Sequence, residues 1–136
     1  MSKRFEGERT LMRIFIGESD RCLEGPHKGK PLDEALLLML RERGFAGATV
    51  LRGIAGFGAS AKVHTDRIVR LSMDLPIVVE VVETEDRIEA VRPELDRMIG
   101  GGLITLERAH VILYRPADQA DSERGRHRTE GLEPGS

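Results

Sequence analysis

The chain has little of several things that would assign a function quickly. Its 136 residues include one cysteine (Cys22), one tyrosine, four phenylalanines, no tryptophan and no asparagine. A single cysteine forms no intrachain disulfide, so packing alone must hold the fold, and a cytoplasmic, reducing setting fits. No apolar core follows the charges of Lys3 and Arg4, so no signal peptide is expected. The longest apolar runs, Ala35 to Leu40 and Leu75 to Val82, fall far short of the ~20 residues of a membrane-spanning helix. Charge of neither sign is in excess: 21 Lys and Arg stand against 23 Asp and Glu, net −2. A phosphate backbone needs clustered cations and a single strand needs stacking aromatics, so a nucleic-acid partner is not expected.

Apolar residues make up 40% of the chain, enough for the core of one ordinary domain. Residues 1–9 are polar and read as a loose N-terminus. Leu11 to Gly17 has the β-branched and aromatic density of a strand that stops at a glycine. A polar loop over 18–30 leads to Pro31, which suits the first turn of a helix, with Asp33 and Glu34 near its positive end. Gly44 is the natural stop for that helix. A second strand spans about Ala48 to Ile54, and a long connection runs from Ala55 to Pro76. Within it Val69, Leu71 and Met73 alternate like a strand, while Ile68 and Leu71 also fit one helical turn. Ile77 to Val82 is a nearly continuous apolar strand, which suggests a central place in a sheet. A second helix follows over Glu85 to Ile99, its apolar stripe interrupted by Pro93, which predicts a kink or a start near Arg92. Gly100, Gly101 and Gly102 end it, and Leu103 to Tyr114 is the last strand. Residues 116–136 are polar and charged, and a disordered tail is expected. The domain proper is 10–115.

The order βαββαβ, with two weakly similar halves, describes an α/β (α+β) ferredoxin-like sandwich: a four-stranded antiparallel sheet, two helices on one face, and a long loop after strand 2. The other face of that sheet has no cover within the chain. Apolar residues there imply that a second copy supplies it, so a homo-oligomer is expected.

Five motifs carry a more specific signal: IFIGESDR (14–21), HKGKPLDEAL (27–36), GFAGATVLRGIAGFGA (44–59), DLPIVVEVVE (74–83) and GGLITLERAHVILY (101–114). In this order, over nearly all of residues 11–115, they resemble the family called domain of unknown function 190, a branch of the PII-like superfamily. The resemblance implies a trimer whose small-molecule ligands, typically adenine nucleotides in better-known PII-like groups, lie between subunits. It implies signal transduction through a mobile loop after strand 2, here residues 56–76, which docks on a membrane transporter or an enzyme. On that loop Lys62, His64, Arg67 and Arg70 are the residues to meet a partner. No cofactor is implied.

Candidate ligand-binding residues follow from the same regions. Gly56-Phe57-Gly58 opens the long loop, where glycines let an anion approach successive N–H groups; the alternative is a tight turn with Phe57 plugging the core. Gly100-Gly101-Gly102 exceeds what one helix stop needs. PII proteins place a lysine after their glycine loop, whereas Leu103 and Ile104 follow here, which weighs against a triphosphate. Gly17 lets the backbone turn. Glu18 could accept from a ribose or an amine, and Lys28 could meet a phosphate or be a plain surface charge. Arg115 follows strand 4, where a guanidinium suits bidentate contact with an oxyanion, or is a solvated strand end.

Catalysis is the weaker reading. Acylphosphatase-like hydrolysis on the same fold relies on an asparagine, which this chain does not contain. No Ser-His-Asp or Cys-His set is legible from spacing, so no catalytic residue is named and no enzyme is expected. His27, His64, His110 and Cys22 show no metal-ligand spacing, which weighs against a metal site and a metal-tolerance module.

Overall fold

The computed structural model describes residues 4–58 and 74–117. In chain order the elements are β1 (Phe5–Gly17), α1 (Leu32–Glu42), β2 (Thr49–Arg52), β3 (Pro76–Glu83), α2 (Glu85–Met98) and β4 (Leu103–Tyr114). The four strands form one sheet in the order β2-β3-β1-β4. β3 is antiparallel to both β1 and β2, with Ile14 opposite Val79 and Val50 opposite Val79. This is the ferredoxin-like arrangement, with β1 and β3 central.

Contacts divide the chain into a main unit, Arg9–Ala109, and a smaller one whose described part is residues 4–8 and 110–117. In the smaller unit His110 Nδ1 lies 3.0 Å from Glu8 Oε1. β1 starts at Phe5, so residues 5–9 belong to a strand and not to a loose terminus. Polar composition misleads there because an alternating strand needs only one apolar face. Residues 118–136 and the loop residues Lys62, His64, Arg67 and Arg70 lie outside the described residues.

Strand periodicity decides the core. Met12, Ile14 and Ile16 of β1 and Ile77, Val79 and Val81 of β3 point to one face and are buried. Leu32, Ala35, Leu36, Met39 and Leu40 of α1 and Ile88, Val91, Leu95 and Met98 of α2 complete the same cluster. Each larger side chain gains ~1.5–3 kcal/mol from its burial. Cys22 is buried here too, its Sγ 3.2 Å from the Glu24 carbonyl, so it is a packing residue.

The helix ends follow their sequence signals. Gly44 closes α1 with φ +80°, while the Gly44 N–H donates to Arg41 O and the Phe45 N–H to Leu40 O, a Schellman pair. Thr84 caps α2, accepting from the Arg87 N–H. Pro93 lies inside a helix that already begins at Glu85, which overturns the late start near Arg92. The carbonyl that loses its partner belongs to Glu89, an exposed residue, so water can satisfy it.

The opposite sheet face carries Leu11, Arg13 and Phe15 of β1, Val78, Glu80 and Val82 of β3, and Leu51 of β2. Val82 and Leu51 are 44% and 49% exposed. β3 is therefore buried on one face and open on the other. In the middle of the open face Arg13 Nε lies 2.8 Å from Glu80 Oε2 and its Nη1 2.9 Å from Glu107 Oε1. The hydrogen bond that Arg13 donates to the Glu80 carboxylate holds the Arg13 pKa above its ordinary value, so this cation persists at any working pH.

Candidate functional site at one end of the sheet

Antiparallel topology brings four chain points to one sheet end: the end of β1 at Gly17, the end of β2 at Arg52, the start of β3 at Pro76 and the start of β4 at Leu103. Both feet of the long loop, the turn after β1 and the glycine run before β4 therefore meet there. This convergence places most of the glycines named from the sequence in one region.

The turn after β1 is tightly bonded. The Gly17 N–H donates to Asp20 Oδ2 at 2.9 Å, and the Ser19 N–H donates to Asp74 Oδ1 at 2.8 Å. The Glu18 N–H donates to the Leu75 carbonyl at 2.8 Å. A Cβ on Gly17 would sit 2.6 Å from Asp74 Oδ1, so only glycine admits that carboxylate. The Glu18 side chain pairs with Arg52 at 2.5 Å. One short turn thus holds both feet of the long loop, Arg52 on the way out and Asp74-Leu75 on the way back. A further tie joins the feet directly, from the Gly53 N–H to the Pro76 carbonyl at 2.7 Å.

The glycines fall into two groups. Gly53 and Gly56 lie under the Pro76 ring, where a Cβ would come within 2.6 and 3.0 Å of Cγ. Gly100 packs on Leu23, and a Cβ on Gly102 would meet the Phe15 carbonyl oxygen at 2.7 Å. Close backbone approach accounts for these four. Gly58 and Gly101, by contrast, have nothing among the described residues within 4 Å of an added Cβ. Phe57 is 69% exposed, which overturns the alternative in which it plugs the core. Ile54, next to the same loop foot, is 98% exposed.

Two residues named from the sequence belong to other segments of the chain. Lys28 follows His27, whose Nε2 lies 2.9 Å from Glu42 Oε1 in the last turn of α1. The first residue of α1 is tied instead to Asp20, through the Leu32 N–H. Arg115 is exposed and follows β4. Sequence reasoning missed Arg52, Gly53 and Asp74. The only signal for them was their place on either side of the long connection.

A groove of about 550 Å³ between α2 and β4, lined by Met12, Ile88, Pro93, Ile104 and Leu106 among others, contains none of the candidate ligand-binding residues named from the sequence. Among the described residues no group of three His, Cys, Asp or Glu side chains is placed to hold a metal. Among them, too, no helix is long and apolar enough to cross a membrane.

Solved structures with some likeness include the PII-like nitrogen regulatory protein CPII of Thiomonas intermedia K12. The form bound to ADP, AMP and bicarbonate matches with a TM-score of 0.46 at 18% identity, over 85% of this chain and 100% of that one. The apo form matches with a TM-score of 0.42 at 16% identity, over 86% and 100%. Curated relatives are nearer. A UPF0166 protein of Aquifex aeolicus is 37% identical over 77% of this chain and 94% of its own length. A second from that organism is 42% identical over 76% and 97%, and one from Methanocaldococcus jannaschii 33% over 74% and 89%. The family model DUF190, described as Uncharacterized ACR, COG1993, matches residues 9–111, and the chain belongs to that family.

Proposed function

We propose that the protein is a PII-like regulatory protein that binds a small ligand at the glycine-lined sheet end and signals through the loop after β2. The observation that carries this reading is the pair of open glycines, Gly58 and Gly101, beside a rigidly bonded turn and the two feet of one long loop. Neither glycine packs closely against a described residue, and both leave a backbone that a ligand can approach. An adenine nucleotide is the leading candidate, on the resemblance of the motifs to PII-like proteins. Gly17, Glu18, Gly56, Phe57, Gly58 and Gly100 to Gly102 form the near wall. Arg115 would contribute across a subunit boundary, as the resemblance to PII-like proteins implies, and Lys28 is a further candidate for an anion contact.

The protein acts as a cytoplasmic homotrimer in this account. The open sheet face with Leu11, Phe15, Leu51 and Val82 favours cover by further copies. Ligand binding biases the loop by its differential affinity for two loop states. Lys62, His64, Arg67 and Arg70 are then presented to, or withdrawn from, a transporter or enzyme partner. The role is binding, not turnover, and no observation favours the hydrolase alternative.

A thermal-shift screen against AMP, ADP, ATP, cyclic AMP, cyclic di-AMP and bicarbonate, with light scattering for assembly, tests this. A ligand at ~100 times its dissociation constant adds about 2.7 kcal/mol. The expected result is a nucleotide-specific rise that disappears in Gly58→Trp, a variant whose added side chain points into open space. A folded trimer that responds to none of these compounds would refute ligand sensing at this end.

A further inference from the structure

The Glu18–Arg52 pair suggests how the site chooses its ligand, an inference that rests on the reading above. Arg52 ends β2 with its side chain 63% exposed, beside the loop foot that leads to Gly56 and Gly58. Glu18 is 30% exposed and bonds Arg52 from the turn after β1. The other two carboxylates of this cluster, Asp20 and Asp74, each accept from a backbone N–H, of Gly17 and of Ser19. They are structural acceptors of the turn. Glu18 differs, because its backbone N–H holds the turn through Leu75 while its carboxylate bonds a side chain, that of Arg52.

We propose that Arg52 is the anion-recognition residue of this site and that the Glu18 carboxylate is a built-in competitor, displaced when an oxyanion takes the guanidinium. A guanidinium presents a planar fork that fits a phosphoryl group or a carboxylate equally well. Exchange of one anion for another leaves the charge at Arg52 balanced, and an exposed ion pair contributes little, so displacement is inexpensive. The same geometry limits the ligand. Asp20 and Asp74 accept from the Gly17 and Ser19 N–H groups of the same turn that carries Glu18, so a polyphosphate chain extended over that turn meets carboxylates beyond its first group. The fitting class is a ligand with one phosphate-sized dianionic group, such as a nucleoside monophosphate. This also fits the absence of a lysine after Gly102.

The test is titration calorimetry of AMP, ATP and adenosine on the wild-type protein and on Glu18→Gln, Arg52→Gln and Gly58→Trp. Melting without ligand confirms that each variant is folded. Removing the competitor should tighten AMP binding by about two- to fivefold, the range of an exposed ion pair. Arg52→Gln should weaken AMP by about tenfold or more, as loss of a charge-assisted contact does, and leave adenosine unchanged. ATP should bind no tighter than AMP. Weaker AMP binding in Glu18→Gln would overturn the proposal by making Glu18 a ligand contact. AMP binding blocked by Gly58→Trp but indifferent to Arg52→Gln would leave the site reading intact and remove Arg52 from it. No AMP binding by wild type or Glu18→Gln would defeat both.

Discussion

Gly102→Ala separates packing from ligand access most sharply, because its neighbour Gly101 is the control. A methyl at position 102 would lie 2.7 Å from the Phe15 carbonyl oxygen, 3.3 Å from Ile16 Cγ2 and 3.5 Å from Ile99 Cγ2. The first contact is with backbone in the central strand, so neither a rotamer change nor water can relieve it. Either β4 moves away from β1 at its start or the backbone at 102 distorts. Strain of that kind costs ~1–3 kcal/mol. For a domain of this size each kcal/mol lowers the melting temperature by roughly 4 °C, so a fall of about 4–12 °C is expected. Gly101→Ala meets nothing within 4 Å and should melt within about a degree of wild type. The assay is thermal unfolding by circular dichroism at one fixed protein concentration, since assembly makes melting concentration-dependent. Equal melting of the two variants would refute the claim that Gly102 serves packing and Gly101 does not.

Three further outcomes follow from the packing. Leu36→Ala removes a fully buried side chain from α1 and should cost ~2–5 kcal/mol in denaturant unfolding, with an unchanged slope. Gly44→Ala forces a left-handed φ of +80° on a residue with a Cβ, and about 1–2 kcal/mol should be lost in the same experiment. Val82→Asp places a charge on the open sheet face without touching the core. The account expects monomers of native far-ultraviolet circular dichroism by light scattering; an intact trimer would remove this face from the assembly interface.

Much of the architecture was legible because it rests on periodicity and punctuation. Period-two burial in β1 and β3 and the stops at Gly17, Gly44 and Gly100 are local signals, and Leu103 to Tyr114 forms β4 with the ends expected of it. Two local signals failed for physical reasons. Residues 5–9 look polar but belong to a strand, and Pro93 sits within a helix that begins at Glu85, where the carbonyl it leaves without a helical partner belongs to an exposed residue. The site was legible only as a set of glycines. Which of them serve packing depends on what stands opposite: Pro76 over Gly53 and Gly56, Leu23 against Gly100, the Phe15 carbonyl against Gly102. Those neighbours are distant in sequence, and no spacing rule reaches them. The Arg52–Glu18 pair was missed for the same reason, since it joins the ends of two strands that are not adjacent in the sheet.

The most direct measurement is amide chemical-shift mapping of the isotopically labelled protein during titration with AMP. The account predicts shifts concentrated at Gly17 to Ser19, at Gly53 to Gly58 and at Gly100 to Gly102, all lost in Gly58→Trp. Shifts confined to the groove between α2 and β4, or no shift at saturating nucleotide, would contradict a ligand site at the glycine-lined end of the sheet.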